Sequence, residues 1–136
     1  HKMVWIDCSF FLVLMRDLAL AVKGKIIAVV RSRSGALVRL TDRQWEHIVT
    51  ARPELEGFKR EILEVVERPD EVFEPPPRVK PQLHAVKRFE RLAAVGLSPN
   101  LVVVYRELTP QEGFIITVFP ISDKKKRGIH RLWRKL

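Results

Sequence analysis

Leu101-Val102-Val103-Val104-Tyr105 is an unbroken apolar run, and its reading decides the fold. A strand with one wet face alternates apolar and polar residues. A continuous run needs cover on both faces and reads as the centre of a sheet. The flanks agree. Residues 96–100 and 109–113 carry turn chemistry (Gly96, Pro99 and Asn100; Pro110 and Gly113), so the strand predicted over 100–108 lies between further strands over 82–94 and 113–121. Short turns between neighbours make this an antiparallel meander.

Upstream, Pro75-Pro76-Pro77 cannot continue a ladder and reads as a stiff connection after a short strand over 71–74. Before that strand the apolar spacing becomes helical. Leu55, Phe58, Ile62, Leu63, Val65 and Val66 recur every three to four residues, with Glu56, Lys59, Arg60, Glu64 and Glu67 outside; Pro69-Asp70 closes the helix. A first helix places Trp45, Ile48 and Val49 on one face and ends at Pro53. Thr41-Asp42-Arg43-Gln44 has the form of a capping box in which Thr41 and Gln44 satisfy each other's backbone N–H groups. Earlier still, residues 25–33 and 36–40 read as a hairpin turning at Ser34-Gly35. Residues 4–22 are apolar with a loose helical rhythm, although residues 4–15 read equally as a strand. The unbroken run Cys8–Met15 is too short to span a membrane and Arg16-Asp17 interrupts it, so a core element or a dimer contact is expected. Helices first and a meander afterwards give an α+β class with helices on one face of an antiparallel sheet.

Composition bounds the function. The 136 residues carry a net charge of +9, which favours anionic partners, RNA first and DNA as the alternative. The charge is also sorted. Residues 41–74 hold five basic and ten acidic side chains, net −5, whereas residues 78–106 carry +5 and residues 120–136 carry +6. Helices stacked behind a sheet would then present an acidic back and a basic front, a footprint for phosphate. A single cysteine, Cys8, allows no internal disulfide and points to a reducing, cytoplasmic compartment. No cysteine–histidine spacing suits a metal, no glycine-rich loop suits a nucleotide, and neither metal nor cofactor is expected.

Candidate site residues are therefore scattered ones. His47 lies on the first helix, off to one side of its apolar stripe. Along the basic strand His84, Val86 and Arg88 share one face, with Lys87 and Arg91 on the other. These cations are phosphate candidates or solvated surface. Thr117 interrupts the run Phe114–Phe119 and is either a core hydroxyl or one that orients a substrate. Tyr105 and Arg106 stand ready to stack a base or hold a phosphate. Lys124-Lys125-Lys126-Arg127 reads as a solvated loop touching phosphates without regard to sequence.

The order of these features resembles a family of small phage- and mobile-element-associated proteins grouped with the barnase–EndoU–colicin–RelE-like fold. The likeness runs through residues 40–48, Arg52-Pro53-Glu54-Leu55, Arg68-Pro69-Asp70, Val86-Lys87-Arg88-Phe89, residues 101–104 and 113–118, and Lys126-Arg127-Gly128. It implies helices on an antiparallel sheet of four strands, or slightly more, forming a domain over 38–136. It does not account for residues 1–37, which are read as an N-terminal extension of helix and strand packed on that core. It also implies a toxin-like, metal-independent endoribonuclease acting by 2′-hydroxyl attack. In that scheme His47 shuttles a proton, Arg88 and Lys87 neutralise the phosphate, and Thr117 orients the substrate. The implied partners are RNA and an acidic antitoxin or immunity protein. The chain departs from the family pattern at Arg52, where a histidine is expected, and at Lys87-Arg88, where paired aromatics are expected. The alternatives are a non-catalytic RNA- or DNA-binding module, and an interaction protein that forms a homodimer through its apolar N-terminus.

Overall fold

The computed structural model describes residues 24–76 and 82–136. The helix and dimer contact expected of residues 4–22 lie outside them. One seven-stranded sheet carries the fold, in the order β1-β2-β6-β5-β4-β3-β7. Its strands are β1 (Ile26–Arg31), β2 (Leu37–Thr41), β3 (Glu71–Glu74), β4 (Gln82–Arg88), β5 (Asn100–Glu107), β6 (Glu112–Ile121) and β7 (Arg134–Lys135). The helices are α1 (Asp42–Ala51), α2 (Lys59–Glu67), α3 (Glu90–Ala94) and α4 (Asp123–Leu132), with a 3-10 turn over Pro53–Phe58 leading into α2.

The apolar run behaves as its composition demands. β5 pairs antiparallel with β4 and β6, and every residue from Asn100 to Arg106 is buried. Leu101, Val103 and Tyr105 enter the cluster beneath α1 and α2, while Val102 and Val104 enter a second cluster on the opposite face. Both faces are thus covered. The helix side holds Ile48, Leu55, Phe58, Ile62, Val65 and Val66. Across the sheet, Phe73, Val86, Val102 and Ile121 pack with Phe119, Ile129 and Trp133.

The expected sheet needs correction. It has seven strands and is mixed, because β2 runs parallel to β6, pairing Val38 with Gly113 and Arg39 with Phe114. The β1–β2 hairpin thereby attaches to the meander, with Gly35 at φ +99° in its turn. Gly113 is squeezed at this junction: a Cβ there would collide with the Arg106 carbonyl. The strand expected over 82–94 stops at Arg88. Residues 90–94 form α3 instead, closed by Gly96 at φ +86° with Gly96 N bonded to the Ala93 carbonyl and Leu97 N to that of Leu92. That pair of bonds is a Schellman close, which needs glycine's left-handed freedom.

Thr41 caps α1 as expected, its hydroxyl accepting from Gln44 N. Gln44 does not reciprocate. Its side-chain amide donates to the Ile116 carbonyl. A bulge explains why that carbonyl needs a donor: Val104 faces Thr117 and Tyr105 faces Ile115, leaving Ile116 as the extra residue. Ile116 and Thr117 consequently fall toward the same side, which simple alternation does not foresee.

A candidate nucleic-acid interface

The C-terminal cationic run forms α4, not a loop. Ser122 caps it by accepting from Lys125 N at 3.1 Å, Asp123 opens the first turn next to the helix dipole's positive end, and Trp133 N closes it on the Ile129 carbonyl. Four consecutive cations repel one another, so a helix here needs tertiary help. Glu71 on β3 supplies it. His130 lies 2.7 Å and Lys126 3.6 Å from its Oε1, and Lys135 lies 3.5 Å from Oε2. His130 also meets the Phe73 ring edge-on at 5.2 Å. Burial works to raise the Glu71 pKa, yet the hydrogen bond from His130 and the charges of His130, Lys126 and Lys135 outweigh it and hold the carboxyl below its ordinary value. A second anchor joins the helix start to the sheet. Asp123 accepts from Asn100 Nδ2 at 2.8 Å and sits 3.5 Å from Arg88, and these contacts lower its pKa.

With Asp123, Lys126, Ile129, His130 and Trp133 turned toward the sheet, the helix presents two outward stripes. Lys124, Arg127 and Arg131, at i, i+3 and i+7, share one. All three are exposed, and none has a carboxylate within ion-pair distance among the described residues. Lys125, Gly128 and Leu132 form the other and border a groove of about 470 Å³ whose opposite wall is Phe119 and Ile121 of β6. Ile129 and Trp133 complete its lining. Behind that wall His84 is wedged between Trp133, 4.9 Å away centre to centre, and Phe119, 6.5 Å away.

Gly128 is out of place by helix energetics, since glycine in a helix interior costs about 1 kcal/mol relative to alanine. Its φ is not positive and a Cβ there would meet open space, so the fold itself does not require it.

The other expected site residues are dispersed. His47 is exposed on α1, in a shallow surface dip with Arg43, Glu46 and Thr50, on the helical layer. Arg88 and Thr117 belong to the opposite sheet face, Arg88 beside α4 and half-buried Thr117 in register with Val104. The three therefore do not converge in one cleft. Arg88 is also neutralised, by Glu90 and Asp123. Lys87 turns to the helical side, 3.5 Å from Asp70 and 4.0 Å from Glu64. Arg91 pairs with Glu61 and lies over the Phe58 ring. Burial pushes the His84 pKa down to about 4, so it is neutral near pH 7 and offers phosphate no charge. Tyr105 is buried, its pKa raised to about 12 by burial and by Glu107 against the opposing pull of Arg33. Arg106 is only 8% exposed. Of the cations expected to meet phosphate, Lys124, Lys125 and Arg127 remain available, and Arg131 joins them through the i, i+4 spacing from Arg127, legible only once the segment is known to be helical.

Among the described residues no three carboxylate, histidine or cysteine side chains cluster as a metal site would require. No described helix is long and apolar enough to cross a membrane. No family model, curated protein or solved structure matches the chain.

Proposed function

We propose that the protein binds nucleic acid, RNA before DNA, through the outer face of α4. The observation that carries this reading is the contrast between two sets of cations. Lys87, Arg88 and Arg91 are matched by carboxylates of the fold, whereas Lys124, Lys125, Arg127 and Arg131 are held out on the helix with no carboxylate within ion-pair distance among the described residues. Fixed, unpaired cations release condensed counterions when they meet phosphates, and that release drives binding. Fluorescence anisotropy with a labelled RNA oligonucleotide tests it. Four phosphate contacts give a slope of log K against log salt of roughly −3. Replacing Lys124, Lys125, Arg127 and Arg131 by glutamine should flatten that slope to near zero. Binding with an unchanged slope would remove α4 from the interface.

Cleavage of the bound strand is a second reading, supported in outline by the α+β layering, although fold alone does not carry chemistry. In this reading Arg88 and Thr117, which share a sheet face, act without His47. Labelled RNA incubated with micromolar protein in EDTA should then yield products that Arg88→Ala abolishes, and intact RNA would end that reading.

A further inference from the structure

We infer that the groove between α4 and β6 seats an unstacked base of a single-stranded nucleic acid. The inference rests on the reading of α4 as the phosphate-binding element and adds the class of strand it takes. Four observations converge on it. Two aromatic side chains, Phe119 and Trp133, line the groove, and the His84 ring packed against both holds them in place. Aromatic faces of this kind stack any base with little regard to its identity. Lys125 stands at the rim and no carboxylate is among the described lining residues, so the phosphate beside a seated base meets positive charge. Leu132 is 76% exposed at the same edge, apolar surface that the described residues leave uncovered. Gly128 lines the groove without a side chain of its own, although neither backbone conformation nor packing calls for glycine there.

At about 470 Å³ the groove lies in the range of small-molecule sites. A duplex cannot use it, because its bases are stacked on one another and paired inward; only a splayed base can enter.

The test compares labelled single-stranded RNA, single-stranded DNA, duplex RNA and a single strand with abasic positions, all of one length. It uses the wild-type protein, Gly128→Leu, and the triple variant Lys124→Gln, Arg127→Gln, Arg131→Gln. Gly128→Leu fills the groove from the solvent side and improves helix propensity, so circular dichroism should show an intact fold. Expected is a loss of about tenfold in single-strand affinity for Gly128→Leu and a similar loss for the abasic strand. Weaker duplex binding should be left unchanged by Gly128→Leu. Equal binding of abasic and base-bearing strands, or an unaffected Gly128→Leu, overturns the groove while the phosphate reading stands, provided the triple variant has lost affinity. Salt-independent binding by the wild type, or none at all, removes the phosphate reading and the groove with it. A dimer in sedimentation that Gly128→Leu disperses would assign the groove to a second copy and likewise overturn the proposal.

Discussion

Glu71→Gln should loosen α4 without touching its outer face. The glutamine keeps the side chain's shape and removes the one negative charge on which Lys126, His130 and Lys135 converge. The Glu71 side chain is 14% exposed, so its interactions are only partly screened. A hydrogen bond to a charged group contributes about 1.5–3 kcal/mol net, and the well-exposed Lys135 pair adds at most a few tenths. Part of the His130 bond survives as a neutral one, leaving a loss of roughly 2 kcal/mol. For a chain of this size that corresponds to a fall in Tm of roughly 8 °C. Thermal unfolding followed by circular dichroism measures it, and the pH dependence supplies the control. The Glu71 carboxyl titrates below its ordinary 4.5 in the folded protein. Its contribution is therefore fully present above that pH and is lost as pH falls through the lower, folded value. The gap between wild type and variant should be complete at pH 7 and close as the wild-type carboxylate protonates in acid. Equal midpoints at pH 7, or a gap that persists at pH 2, would refute the account of how α4 is held.

Two further outcomes follow from the sheet. Gly113→Ala drives a methyl group into the Arg106 carbonyl where three strands meet, and should cost about 1–3 kcal/mol in urea unfolding; an unchanged midpoint would mean that the junction yields easily. His84 should remain neutral across pH 5–8 in a proton NMR titration and protonate only near 4. Since the unfolded histidine titrates near 6.5, the neutral burial contributes stability fully above that pH, and roughly 3 kcal/mol is lost as pH falls from 6.5 to 4. An inflection near 6.5 in the folded protein would contradict the aromatic enclosure.

What the sequence shows of this fold is what short-range physics decides. The run at Leu101–Tyr105 demanded two covered faces and has them; Thr41, the turn at Gly35, Pro53 and Pro69 mark real boundaries. What it hides depends on distant partners. Ser122-Asp123 offers a local helix start before Lys124–Arg127, but the run of four cations argues against a helix, and the carboxylate that neutralises its inner side is Glu71, on a strand far upstream. The parallel match of β2 with β6 leaves no local pattern, and the bulge at Ile116 changes the facing of Thr117 by a single residue. Residues 90–94 follow the basic strand without a proline or glycine to break it, yet Gly96 and the bond from Leu97 N to the Leu92 carbonyl close them as a short helix. The candidate site was legible as charge, but which cations the fold would consume and which it would spare was not.

The parallel pairing of β2 with β6 also sets an order of events in time. Leu37 to Arg39 wait for Glu112 to Phe114, so the first hairpin cannot join the sheet until nearly the whole meander has been synthesised. Closing so long a loop is slow compared with local pairing, and until it closes β2 presents a bare strand edge. The last helix, α4, follows β6 in the chain. A chain truncated before residue 112 would therefore carry both an open edge and no cationic helix, and should be recovered as aggregate, not as a smaller folded domain.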